Sequence, residues 1–213
     1  MPLRIKTMRT ILIAFLMTLA TQVGAQQLTV AVSALLSDAQ VKLENQNFAG
    51  QIDGVSVTTE YMLSPDWHLA YEHLSGSGNF NGTTSDFSFN QNLVYAYREF
   101  SQDSTFFLNW KLGYKIGAGF YQKTSKFGTE TYSETQLPLV LGAEITNTSG
   151  VRISFSGVGQ LNNLNNKRSG SLSLSIPVMS NSSVIGRYTN HISKVNGLQH
   201  CGSDYFMGFS VQF

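Results

Sequence analysis

Residues Phe106–Tyr121, FFLNWKLGYKIGAGFY, alternate between two kinds of side chain along the whole segment. The even-numbered positions are all apolar, whereas the odd-numbered positions include Lys111, Lys115 and three glycines. A period of two residues is typical of a β-strand whose two faces meet different environments. The segment exceeds the roughly 9–11 residues that a tilted strand needs to cross a bilayer. We therefore interpret it as a membrane-spanning strand with its apolar face towards lipid.

The last nine residues, YFMGFSVQF, repeat this pattern and end the chain on an aromatic side chain. Tyr205, Phe209, Val211 and Phe213 share the apolar face. The segment resembles the closing strand of small bacterial outer-membrane β-barrels of the OmpA/OmpX-like group. This resemblance implies a location in the Gram-negative outer membrane, among lipid and lipopolysaccharide. It also implies that the four residues form an assembly signal for the barrel-assembly machinery.

The N-terminus has the organisation of a cleaved secretory signal peptide. Arg4, Lys6 and Arg9 precede an apolar core at Ile11–Ala20, which is too short to span a bilayer. Small residues before Gln26 provide a cleavage site, so we expect residues 1–25 to be removed and residues 26–213 to form one barrel domain. The remaining chain has 11 basic and 13 acidic residues, a balance that gives no reason to expect a nucleic-acid partner.

Ten strands account for the barrel domain, and all neighbours are expected to pair antiparallel. Eight strands are the alternative, because the first and eighth segments are weakly patterned. Short turns are expected on the periplasmic side, and longer solvated loops outside at Leu36–Gly50, Ser77–Ser85, Gln122–Thr131, Asn162–Ser169 and Lys194–Ser203. The predicted strands are Leu28–Leu35, Val55–Leu63, Trp67–Glu72, Phe87–Arg98, Phe106–Tyr121, Gln136–Ile145, Val151–Ser156, Ser171–Val178, Val184–Ser193 and Tyr205–Phe213.

Charged side chains fall on the strand faces opposite the apolar ones, so we predict that they line the lumen. In the fourth strand this choice of faces turns Phe87, Tyr95 and Tyr97 towards lipid. A barrel of eight to ten strands is filled mostly by side chains, and these charges would pair into a polar network. A path for an ion or solute is the alternative. The predicted network comprises Glu60, Glu72, Arg98, Lys111, Lys115, Glu144, Arg152 and Arg187.

His191, Ser193 and Asp204 lie on the last predicted hairpin. A His-x-Ser followed by an acid on the closing strand is similar to the PagL-type lipid A deacylases. The resemblance implies that Ser193 is the nucleophile, His191 its general base and Asp204 the acid that orients the histidine. Our assignment of faces directs His191 and Ser193 into the lumen, whereas this family presents its site to the membrane. The alternative is that they are polar lumen-lining residues.

Other chemistry has little support in the sequence. Cys201 is the only cysteine, which excludes an internal disulfide and a cysteine metal cluster. We expect no cofactor and no bound metal. The leading hypothesis is a monomeric, non-enzymatic barrel with a surface-interaction role. A lipid A esterase is the second hypothesis and a narrow solute pore the third.

Overall fold

The computed structural model describes residues 28–43, 46–83, 85–107, 109–160, 167–195 and 198–213, with side chains except at 102–107, 167 and 195. The predicted signal peptide and Leu108 lie outside these ranges, as does the side chain of Phe106. Eleven β-segments make up the described chain: β1 Leu28–Leu43, β2 Gln46–Met62, β3 Trp67–Phe80, β4 Asp86–Phe107, β5 Trp110–Phe127, β6 Glu130–Gln136, β7 Pro138–Asn147, β8 Arg152–Gln160, β9 Lys167–Met179, β10 Ser182–Val195 and β11 Leu198–Gln212.

The segments form one closed antiparallel barrel. β11 pairs with β1, and the final backbone contact joins the Phe213 amide to the Leu28 carbonyl at 2.8 Å. β6 and β7 are two parts of one strand, because both pair with β5 in a single continuous register. The separation falls at Leu137–Pro138, where proline lacks the amide hydrogen that the ladder needs. The prediction of ten antiparallel strands is therefore confirmed.

A band of apolar side chains surrounds the half of the barrel that contains Leu28 and Phe213. In β5 the outward residues Tyr114, Ile116 and Phe120 are each about half exposed. Four apolar bands are nine residues long, at Leu28–Leu36, Leu112–Phe120, Leu137–Ile145 and Tyr205–Phe213. This length matches a tilted strand that crosses the hydrocarbon core, so we assign this half to the membrane. Tyr205, Phe209, Val211 and Phe213 point outward in it, and Cys201 lies beyond it with a free thiol.

The other half of the barrel extends beyond the membrane, and its outer surface is polar. Outward side chains change from apolar to polar between Leu36 and Asp38 in β1, between Phe120 and Gln122 in β5, and between Tyr205 and Ser203 in β11. Most of the expected outer loops are therefore strand. The prediction of long loops was wrong because a strand that leaves the membrane takes polar side chains on its outward face, which resembles loop composition. Residues 44–45, 84, 162–166 and 196–197 of these connections lie outside the described residues.

The lumen of this extension has an apolar filling. Phe80 packs edge-on against Phe87, and Phe87 also contacts Phe89. We call this filling the outer plug. Its buried members are Leu35, Ala39, Val41, Ile52, Leu74, Phe80, Phe87, Phe89, Phe127, Leu198 and Phe206. The polarity of the wall is thus inverted along the barrel. In the membrane half the apolar side chains point outward, whereas in the extension they point into the lumen.

The faces predicted for β4 were wrong. Phe87, Tyr95 and Tyr97 point inward, whereas Val94 and Phe100 point to lipid. Arg98 consequently lies on the outer surface rather than in the lumen, and its guanidinium pairs with Asp66 of the β2–β3 turn at 3.3 Å. Both faces of β4 are apolar in places, so hydropathy alone did not determine which one meets the lipid.

Candidate functional site

The membrane half of the lumen is crossed by ion pairs. Arg187 of β10 reaches Glu72 of β3 on the opposite wall, with Nη2 2.7 Å from Oε1. The same guanidinium lies over the Phe206 ring, 4.0 Å from its centroid. One charge-assisted contact therefore spans the lumen at mid-height, and an aromatic ring covers it.

A second group of charges surrounds Glu144 on β7. Lys115 lies 3.3 Å from one carboxylate oxygen and Arg152 lies 3.0 Å from the other. The Glu144 side chain is almost fully buried, so both cations compensate for its loss of hydration. Lys111, also predicted for the network, lies exposed at the end of β5.

Glu60 belongs to a third group that the charge pattern only partly indicated. His68 Nδ1 lies 3.2 Å from Glu60, and its Nε2 lies 3.7 Å from Glu99. The His68 ring stacks on Tyr97 with centroids 4.8 Å apart. His68 and Glu99 were missed as network members. The face of β3 already placed His68 inward, but the pairing with Glu99 required the correct face of β4.

The predicted catalytic residues all lie inside the barrel, and the structure brings only two of them together. Nδ1 of His191 lies 2.9 Å from Oδ2 of Asp204. The Ser193 hydroxyl instead donates to Glu134 of β6 at 2.8 Å. The side chains of Ser193 and Asp204 are buried in the lumen. This arrangement directs the serine towards a carboxylate and places the pair away from the lipid-facing surface.

Next to this pair, two buried bases meet between the plug and the ion pairs. Lys123 Nζ lies 2.8 Å from His200 Nδ1, and the His200 ring is tilted by 67° to that of His191 with centroids 4.6 Å apart. Burial lowers the pKa of Lys123 to about 8, although the carboxylates of Glu134 and Asp204 oppose this shift. Burial and the Lys123 charge also hold the pKa of His200 well below its usual value.

A cavity of about 210 Å³ separates these bases from the ion pairs below. Its wall includes Tyr95, Lys123, Arg187, His191 and Asp204. Nε2 of His191 and Nε2 of His200 are buried without a hydrogen-bond partner. A cavity of this size has room for water, which would satisfy such atoms. Among the described residues, no group of three His, Cys, Asp or Glu side chains could hold a metal ion.

The barrel itself defines the class of protein. In a bilayer, backbone groups are satisfied across a membrane by helices or by closed barrels. No described helix is long and apolar enough to span a membrane. A closed antiparallel barrel with an apolar outer band and a polar lumen is the architecture of bacterial outer-membrane proteins. The chain is an outer-membrane β-barrel with the general layout of the small OmpA/OmpX-like group, and its location is the bacterial outer membrane.

Comparison with known proteins adds likenesses of fold. No protein-family model and no curated protein matches the chain. Neisserial surface protein A is similar over 90% of this chain and 100% of its own, with 15% identity and a TM-score of 0.49. Ail of Yersinia pestis covers 89% of this chain and 100% of its own, with 12% identity and a TM-score of 0.41. OprG of Pseudomonas aeruginosa covers 90% and 98%, with 10% identity and a TM-score of 0.39.

Proposed function

We propose that the protein is a non-enzymatic, non-conducting barrel whose extension serves as an interaction surface outside the cell. The observation that carries this proposal is the outer plug. Phe87 is fully buried at its centre and contacts Phe80, Phe89 and His200. A lumen filled by packed aromatic side chains leaves no continuous aqueous path, and the Arg187–Glu72 pair blocks the lumen a second time.

The extension offers a partner a polar surface. A recess on it lies across β1–β4, with a volume of about 1070 Å³. Asp38, Asp53 and Asp86 are exposed around this recess, together with asparagine, glutamine and serine side chains. Backbone pairing holds the strands in register over their full described length. A partner would therefore meet a preorganised sheet, which lowers the ordering cost of binding.

Labelling of lysines on intact cells tests the exposure of this surface. Lys42 and Lys126 are exposed on the extension, whereas Lys111 is exposed at the opposite end of β5. A membrane-impermeant amine reagent should modify Lys42 and Lys126 on intact cells and reach Lys111 only after lysis. Peptide mass spectrometry reads all three in one sample. Modification of Lys111 alone on intact cells would reverse the orientation and refute the surface role.

Conductance tests the closed lumen. The folded protein in a planar bilayer should give no discrete current steps above the bare membrane, while a wide porin inserted in the same way provides the positive control. Regular steps with the wild-type protein would support the narrow-pore hypothesis instead. Electrophoresis of the unboiled sample, which separates folded from unfolded barrels, shows that a silent preparation is folded.

A further inference from the structure

A shallow apolar trough crosses the outer surface of β7–β10. Its volume is about 640 Å³, and the side chains along it include Leu141, Phe155 and Leu172. Gly157 and Gly170 are direct cross-strand partners on β8 and β9, the two central strands of the trough. With no side chain at either position, the backbone forms the floor and the neighbouring side chains form the walls.

The trough lies where an outer-leaflet lipid would place an acyl chain. At its upper end are Gly170 and Tyr188, the outward positions at the upper limit of the apolar band in β9 and β10. It continues down to Ala143, inside the nine-residue apolar band of β7. Within that band the surrounding solvent is hydrocarbon, so the occupant of the trough is a lipid chain.

A basic side chain lies directly above the upper end of the trough. Arg168 is exposed and lies two residues from Gly170 on the same face of β9. It enters no ion pair with the residues that the structure describes. Lys194 of β10 is also exposed, and it lies one outward position above Ile192, the cross-strand partner of Arg168. Two basic side chains at the edge of the apolar band suit an anionic lipid head group.

Basic and acidic residues are unevenly distributed along the chain, and this distribution favours anion binding on this side of the barrel. After Glu144 the chain has five basic residues and one acidic residue, Asp204, which points into the lumen. Between residues 26 and 144 it has six basic and twelve acidic residues. The outward surface of β8–β11 therefore has no described carboxylate to repel a phosphate.

We propose that the outer surface of β8–β10 is a binding site for a phosphorylated, acylated glycolipid of the lipid A type. One acyl chain occupies the trough over Gly157 and Gly170, and a phosphate of the head group binds Arg168, with Lys194 as a second cation. Both halves of the site are needed, because the trough alone would accept any lipid chain and the cations alone any anion. This site is separate from the interaction surface proposed for the extension.

Native mass spectrometry of the folded protein in detergent micelles tests the phosphate contact. The probes are bisphosphorylated lipid A and the same lipid after phosphatase treatment. Arg168→Gln should weaken binding of the phosphorylated lipid about tenfold and leave the dephosphorylated lipid unchanged. The matched control is Lys126→Gln, which removes an exposed outward cation from β5. Equal losses in both variants, or equal binding of both lipids by the wild type, would overturn the proposal.

A second variant tests the trough without the charge. A Cβ added at Gly170 meets no atom within 4 Å, so Gly170→Leu should fold and fill the trough. We expect binding of both lipids to weaken at least about fivefold. Gly186→Leu is the matched control, because a Cβ at this lipid-facing glycine also meets no atom within 4 Å and the residue lies outside the trough. If Gly170→Leu binds both lipids as the wild type does, while folded by electrophoresis, the trough is not the site.

Discussion

Ile116→Arg against Gln122→Arg is the sharpest test of where the membrane ends on this barrel. Both residues point outward from β5, three outward positions apart. Ile116 is the middle residue of the apolar band Leu112–Phe120, whereas Gln122 is the first outward residue beyond it. We expect Ile116→Arg to destabilise the protein strongly and Gln122→Arg to leave its stability nearly unchanged.

The magnitude follows from the depth of Ile116 in the band. Four residues separate it from either end, which is about 13 Å along a strand at roughly 3.3 Å per residue. At a tilt of about 40°, this becomes about 10 Å along the membrane normal. The guanidinium cannot extend far enough to leave the hydrocarbon completely, so a cost of about 2–4 kcal/mol is expected. A surface substitution at Gln122 should change stability by less than about 0.5 kcal/mol.

Reversible denaturant unfolding of the protein in phospholipid vesicles measures this difference. Tryptophan fluorescence follows the transition, and Trp67 and Trp110 both lie in the lower half of the barrel. The free energies of unfolding of the two variants are compared with that of the wild type under identical conditions. Equal costs for the two arginines, or a larger cost at Gln122, would refute the assignment of the band.

Three further predictions concern the lumen. Arg187→Met should lower the free energy of unfolding by about 3–5 kcal/mol, because it leaves Glu72 buried without its partner. The double variant Arg187→Met with Glu72→Gln should recover most of this loss. No recovery in the double variant would contradict the pairing. Below pH 8 Lys123 is protonated in both the folded and the unfolded protein, so the folded protein bears the cost of burying its charge. Between pH 8 and 10.5 only the folded protein has released this proton, so the free energy of unfolding of the wild type, relative to that of Lys123→Met, should rise by up to about 3 kcal/mol. If denaturant titrations show no change in this difference across that range, the depressed pKa is excluded. Cells producing wild type and His191→Ala should contain lipid A of the same mass, because Ser193 is bonded to Glu134 inside the barrel; loss of an acyl chain with the wild type alone would establish the deacylase.

The sequence was sufficient for the strand number because a period of two residues survives in every segment. It was also sufficient for the outward face of β5 and β11, where one face is apolar and the other carries lysines, glycines or an aspartate. Tyr205, Phe209, Val211 and Phe213 point outward as the alternation predicts. Whether assembly machinery recognises them stays a prediction.

The outer half of the fold was less predictable, for a physical reason. Alternation reports that two faces differ, but it does not say which solvent each face meets. In the membrane the apolar face is outward, whereas above it the same chemistry requires the apolar face to be inward. Phe87 and Phe89 of β4 belong to the second regime, while Val94 and Phe100 belong to the first. One rule applied to the whole of β4 therefore placed both faces of the strand the wrong way round.

The candidate site shows the same limit in its chemistry. The charge pattern identified Glu72 and Arg187 as lumen residues, but their pairing across the barrel depends on how far β3 and β10 are apart around the wall. His200 and Lys123 gave no signal, because their strand segments were interpreted as solvated loops. Their burial follows from the inverted polarity, since an inward side chain above the membrane enters the plug rather than water.

The two halves of the lumen are filled by different interactions, and this difference predicts how each half would respond to mutation. The plug depends on shape, so loss of one ring, such as Phe87, leaves a cavity that its neighbours only partly fill. The ion pairs below depend on charge, so they fail when one partner is removed and recover when both are neutralised. A channel gate would need one such element to have two arrangements of similar energy. The plug residues are buried against one another, and Arg187 contacts both Glu72 and the Phe206 ring, which favours a single arrangement of each element.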